Sequence, residues 1–179
     1  MDQVDKGRMV IALASIALLM AAIAILSQSD KTSKPMNING DQLGRENSET
    51  LDHYVSRARG SLSDFEGQVF ALATFNGRFS AEEIGAVLEK AGVSRVNAVV
   101  PGGTTVIELP EPARGASRAS VLTQQIRIRG KDEGDIRSVV VYDNVEALRN
   151  LQKDSKILAV EALPPDAAWG RIGIRPVNL

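Results

Sequence analysis

Few side chains in this chain could do chemistry. Among 179 residues there is one histidine, His53, and no cysteine. A multi-histidine metal site is therefore impossible, thiolate metal sites and cysteine nucleophiles are excluded, and a Ser-His-Asp arrangement could draw only on His53. The carboxylates do not pair either. Glu82 and Glu83 are adjacent in a helical pattern and face different directions, which suits neither general acid–base work nor glycoside chemistry. Glu108, Glu111, Glu161 and Asp166 border predicted turns, where acidic side chains ordinarily face water. There is no G-x-G-x-x-G or G-x-x-x-x-G-K loop, no G-x-S-x-G elbow and no S-x-x-K pair, and the glycines of "PGGT" fit a hairpin turn. The sequence thus offers no catalytic residue, no cofactor-binding residue, no cofactor and no metal ligand.

Two features could instead meet a partner. Trp169 is the only tryptophan and sits in the reversal "PPDAAWG", where it is either a lid on the core or an exposed anchor. Arg114, Arg118, Arg127, Arg129 and Lys131 form a local basic cluster, followed at once by Asp132, Glu133 and Asp135. A solvated, self-neutralising face is the plain reading; contact with anionic headgroups or cell-wall polymer is the sharper one. The net charge of −1 supplies no basic field for nucleic acid, and 4% aromatic residues leave few stacking platforms for bases.

The segment that governs location is "MVIALASIALLMAAIAIL", residues 9–26, in which Ser15 is the only polar member. At about 1.5 Å per residue it reaches about 27 Å, the thickness of a thin hydrocarbon core, and it has no polar stripe. Its length favours a retained single-pass anchor. Ala22 and Ala24 form an A-x-A-like cleavage site, but inside the apolar run rather than after it. Lys6 and Arg8 precede the span; Lys31 and Lys34 follow at a greater distance. This predicts a cytoplasmic tail at 1–8, a transmembrane helix at 9–26 and the remainder outside the cytoplasm.

Residues 27–50 are polar and aperiodic and read as a flexible linker. The domain is expected at 51–179, opening with a helix over 51–59 whose apolar face holds Leu51, Tyr54, Val55 and Ala58. His53 falls off that face, so exposure is its simplest reading, with a catalytic or pH-sensing role as the alternative. Two units of similar plan follow. In the first, about 68–109, a strand at 68–75 turns at Gly77; a helix is started by a Ser80/Glu83 capping box and stopped by Gly92; strands follow at 94–100 and 104–109. In the second, about 136–177, a strand at 136–142 leads to a helix capped by Asp143 or Asn144, with Asp143 and Glu146 able to form a second capping box, then strands at 156–162 and 171–177. The joint at 111–135 holds either a helix over about 116–127 or an alternating strand at "QIRIR". The pattern predicts an α+β, ferredoxin-like sandwich, mostly antiparallel, with helices on one side of the sheet.

The amino-terminal span, the "YVSRARGSL" helix, the "VFALATF" strand and the closing "VVVYDNVEALRNLQKDSKILAVEALPPDAAWGRIGIRPV" resemble single-pass membrane-anchored envelope proteins of actinobacteria, over about residues 10–110 and 136–177. Those proteins carry a longer helix-rich insertion, often with cysteines, where this chain has a short cysteine-free joint. The resemblance implies an envelope location and no defined activity. More locally, "VEALRNLQKDSKILAVEALP" is similar to the inhibitory propeptide domains of subtilisin-like proteases. Together these expectations describe an extracytoplasmic interaction or scaffold domain with an envelope protein partner. The alternative is a sensor that binds a small molecule or peptide in a cleft between the two units.

Overall fold

The computed structural model describes residues 3–27, 40–102, 105–113 and 115–177. The chain divides into two compact units, Met1–Ile38 and Asn39–Leu179. The first holds one helix, α1, Gln3–Ser27. Its stretch Gly7–Ile25 has a mean hydropathy of 2.4 over 19 residues and is long and apolar enough to cross a membrane. Ile11, Leu18 and Ile25 are exposed on it, so no packing within the unit accounts for its composition.

The second unit is α+β. Its main sheet contains β2 (Gln68–Phe79), β3 (Val96–Pro101), β4 (Ile107–Glu108), β5 (Ile136–Asn144) and β6 (Ile157–Ala162), in the order β4-β3-β5-β2-β6. All neighbours are antiparallel. The helices are α2 (Leu51–Ser61), α3 (Ala81–Ala91), α4 (Arg118–Ile128) and α5 (Val145–Gln152). The two strand–helix–strand units interleave: β5 lies between β2 and β3, and β2 lies between β5 and β6. They therefore share one sheet, and a depression of about 200 Å³ lined by Val87, Lys90, Asn150, Lys153 and Asp154 lies between their helices α3 and α5. Their likeness ends there. The first unit closes with β4 paired to β3, whereas β7 (Gly173–Ile174) leaves the sheet and pairs in parallel with β1 (Gln42–Leu43).

The local signals explain the helices. Ser80 accepts from the Glu83 N–H while the Glu83 carboxylate accepts from the Ser80 N–H, and Gly92 ends α3 at φ 79°. In α5 the cap is Asn144, which accepts from the Glu146 N–H at 3.0 Å. Asp143 forms no capping box there, because its carboxylate is taken by the Ser94 N–H (2.6 Å) and Ser94 Oγ (2.9 Å). The joint forms helix α4, not a strand, because Val121, Leu122 and Ile126 bury one face. Gly77 does not turn the chain: β2 runs through it to Phe79, with a register irregularity after Thr74.

Contrary to the one-sided expectation, the sheet is covered on both faces. Val69, Ala71 and Phe75 of β2 meet α3, α4 and α5 through Ile84, Leu88, Leu122, Ile126 and Leu148. The alternate residues Phe70 and Leu72 face Tyr54 and Ala58 of α2, with Leu43, Leu163 and Val177. An unbroken apolar run such as 69–73 is what a strand buried on two faces requires. The second cover comes from the two ends of the folded unit, so residues 40–50 belong to the fold and not to a linker. We call residues 40–44 the strap. Leu43 is 0% exposed, and the Gly173 and Arg175 N–H groups donate to the Asp41 and Leu43 carbonyls, each at 2.8 Å.

Both sheet edges are closed. Along β6, Arg59 Nε donates to the Leu158 carbonyl (3.0 Å) and the Ala162 N–H donates to Ser61 Oγ (2.8 Å). Edge strand β4 has two residues and is followed by Pro110 and Pro112, which cannot donate.

The strap tolerates no side chain at Gly44, where φ is 103° and a Cβ would lie 1.9 Å from the Arg175 carbonyl oxygen. Gly44→Ala should therefore lower stability by at least about 1–3 kcal/mol, the cost of left-handed strain alone. Urea melts check this against Gly60→Ala, whose Cβ meets nothing within 4 Å and which, lying in α2, should leave stability unchanged or raise it by up to about 1 kcal/mol.

Candidate functional site

The densest polar constellation lies where the strap, α2 and β6 converge. Thr50 caps α2 by accepting from the His53 N–H at 3.3 Å, which fixes the first turn. Glu49, His53 and Arg57 follow at intervals of four and share one side of the helix start. Glu49 Oε1 accepts from Arg57 Nε (2.9 Å) and lies 2.8 Å from His53 Nδ1. Glu49 Oε2 accepts from Arg57 Nη2 (3.0 Å) and from the Glu46 N–H (3.2 Å). Across from them β6 presents Glu161, 3% exposed. Its Oε1 accepts from Arg57 Nη1 and its Oε2 from the Gly44 N–H at 2.6 Å; Arg57 Nη2 also donates to the Gly44 carbonyl at 3.2 Å.

The electrostatics follow from who is buried with whom. Arg57 holds Glu49 down, from 4.5 to about 2, against the opposing effect of burial. Burial pushes Glu161 up, and its bonds from Gly44 and Arg57 offset this only in part. The two carboxylates, first Glu49, raise Arg57 further above its ordinary range. Beneath them Tyr54, raised by burial, shares a hydrogen bond with Thr74 Oγ1 at 3.2 Å.

This arrangement is a clamp. Two carboxylates compete for one guanidinium, and every guanidinium nitrogen is engaged with a protein acceptor. An open depression of about 460 Å³ lies beside it, lined by Glu46, Ser48, Glu49, Thr50, His53 and Arg57. His53 is 74% exposed there, as the helix pattern predicts. Among the described residues no group of three His, Asp or Glu side chains could hold a metal ion.

The residues singled out for a partner do not form one surface. Trp169 is half-buried and stacks on Phe70 at 5.7 Å on the α2 side of the sheet. The arginines of α4 belong to the opposite layer. Arg118 donates to Glu111 (3.3 Å) and to the Ser94 carbonyl, and Arg127 donates to Glu133 at 2.7 Å, so acids of the same joint satisfy them. Arg129 ends α4, and Arg114 lies outside the described residues. Glu83 caps α3 and pairs with Lys156, Glu111 pairs with Arg118, and Glu82, Glu108 and Asp166 are exposed. Sequence reasoning passed over Glu49, Arg57 and the inward direction of Glu161. The four-residue spacing of 49, 53 and 57, and a lone charge inside the apolar strand "ILAVEAL", were the available signals.

Comparison of the chain with protein-family models, with curated proteins and with solved structures finds no match.

The two carboxylates have opposite signs in acid. Glu49, lowered in the fold, contributes stability above pH 4.5 that is lost as pH falls toward about 2. Glu161, raised in the fold, does the reverse: protonation relieves its burial as pH falls through its folded value. Glu49→Gln should therefore flatten the loss of stability between pH 4.5 and 2, whereas Glu161→Gln should steepen the overall decline on acidification. Denaturant melts from neutral pH down to about 2 read both slopes, Glu161 acting above pH 4.5 and Glu49 below it. At neutral pH, Arg57→Met should cost about 2–3 kcal/mol, below the usual figure for orphaning a buried charge because Arg57 is 40% exposed.

Proposed function

We propose that this protein is a single-pass membrane protein whose Asn39–Leu179 unit is an extracytoplasmic interaction domain of the cell envelope. One observation carries the reading. The span Gly7–Ile25 has a mean hydropathy of 2.4, with Arg8 at its leading end as its only charged residue, and is 0% buried, and lipid is the solvent in which such a helix leaves no apolar surface in water. The positions of Lys6 and Arg8, close to the leading apolar edge, support an amino terminus inside and a domain outside. The interleaved strand order supports a ferredoxin-like sandwich as the domain's fold.

An interaction role suits this architecture better than catalysis, since the densest polar cluster spends its charges on itself. The mode of interaction is narrowed too. With β6 capped by Arg59 and Ser61 and β4 bounded by prolines, strand addition is disfavoured, so a partner protein would meet side-chain surfaces. The alternative, a sensor for a small molecule or peptide, would have to use the small depression between α3 and α5.

The test is a carboxy-terminal tag on the full chain in intact cells, challenged with external protease after mild chemical cross-linking. The reading expects an uncleaved anchor, a tag digested from outside and a discrete cross-linked product. A protected tag, or a product shortened at residues 22–27, overturns the anchored, outward-facing arrangement. A digestible tag with no cross-linked product on repeated trials overturns the interaction role.

A further inference from the structure

One step in the sheet carries chemistry that the clamp and the helices do not use. Asn76 is followed by Gly77, and a glycine in that place leaves its own nitrogen open to the asparagine side-chain carbonyl carbon, because no Cβ stands in the way. The chain has a second such step at 39–40, but residue 39 lies outside the described residues. In a regular strand two ladders would hold the step extended. Here they do not. Thr74 pairs with Ser138 and Phe79 with Ile136, so residues 75–78 of β2 stand opposite Arg137 alone. On the other side the pairing with β6 ends at Phe75 and Ile157. Gly77 therefore has no register partner in either neighbouring strand. Asn76 is exposed and Gly77 half-buried, so water reaches both, and a Cβ at 77 would meet only the Phe79 ring, at 3.7 Å.

The same residue pins the turn between α5 and β6. Asn76 Nδ2 donates to the Ser155 carbonyl at 2.7 Å, and the Asn76 N–H donates to the Lys156 carbonyl at 2.9 Å. Asp154 organises that turn, accepting from the Lys156 N–H at 3.1 Å and from Lys90 Nζ at 3.0 Å. We propose that Asn76 is a self-modification site, at which deamidation through a cyclic imide releases this pin. The Gly77 nitrogen bonds to Asn76 Cγ, and the side-chain nitrogen leaves as ammonia, carrying the proton that Gly77 gives up. Water then opens the imide at either carbonyl, giving aspartate or, with the main chain rerouted through the side chain, isoaspartate. Either product puts a carboxylate where a donor faced the Ser155 carbonyl and adds a negative charge near Asp154; isoaspartate also inserts a methylene into the β2 backbone. The Ser155 hydrogen bond must open before the amide turns toward Gly77, so the step is gated by the turn that it holds. The proposal concerns the folded unit alone and stands apart from the membrane reading.

The experiment holds the full chain, in detergent and mildly alkaline buffer, for days and follows residue 76 by peptide mapping with mass spectrometry. Residue 76 should pass from amide to acid in the folded chain, with isoaspartate among the products, and hydroxylamine should trap the imide and cleave the chain between 76 and 77. Gly77→Ala should lose both signals. A residue 76 that converts in urea but stays an amide in the folded chain overturns the proposal. Conversion undiminished in Gly77→Ala also overturns it, because the amide would then be hydrolysed without an imide. Release of the pin is read separately by hydrogen exchange over residues 153–157. Asn76→Asp should exchange there about five-fold faster than the unaltered chain, the loss expected for one hydrogen bond. Asn76→Ala, which removes the donor without adding charge, should show a smaller increase. Exchange unchanged in both variants overturns the release.

Discussion

The rest of the structure depends on one constraint: the central strands are apolar on both faces. Val139, Val140 and Val141 are consecutive and each 0% exposed, so no single layer of helices can shelter them. The first cover is conventional, three helices with clear caps. The second has to be assembled from what remains, which is the first dozen residues of the folded unit, α2 and the closing segment. The strap, the parallel pair β1–β7 and the clamp around Arg57 exist to hold that second cover in place.

This accounts for a charged cluster inside the fold. The strap reaches β6 with an N–H at Gly44 that must find an acceptor away from water. A carboxylate at 161 supplies it, and Arg57 then supplies the cation that such a carboxylate needs. Glu49 draws the same guanidinium toward the start of α2 and fixes the helix relative to the strap. A buried ion pair contributes little net stability against well-packed apolar residues, but it penalises every arrangement that breaks it. Here it distinguishes the strap's register, since sliding β1 by one residue would remove the Gly44 N–H from Glu161 and drive a Cβ into the Arg175 carbonyl.

What was legible in the sequence was local. The Ser80/Glu83 box and the Gly92 stop lie within a helix length of the element they bound, and the Tyr54/Ala58 face of α2 repeats at four. What was hidden is long-range. Residues 42–43 and 173–174 are two short segments more than a hundred residues apart, with no periodicity to announce a strand. Spacing alone leaves Asp143 and Asn144 both open as the cap of α5; only the fold brings Ser94 to the Asp143 carboxylate and leaves the cap to Asn144. The two-sided sheet was written in the unbroken runs "VFALA" and "SVVVY", but the more familiar layout with helices on one side overrode that signal. In the candidate site, the four-residue spacing of Glu49, His53 and Arg57 was readable. The pairing to Glu161 was not, because it joins a helix to an edge strand 104 positions away.

The closed edges and the clamp bear on function in the same direction. A domain that recognised partners by strand addition would leave an edge free, and one that used a carboxylate pair for proton transfer would leave one oxygen facing substrate. Here α2 shields β6, prolines bound β4, and the four carboxylate oxygens of Glu49 and Glu161 all accept hydrogen bonds from the protein. Chemical capacity is left on the outward side chains. Among these, Arg118 and Arg127 of α4 are paired with acids of the same joint, whereas Arg45, Arg129, Arg171 and Arg175 have no side-chain partner among the described residues.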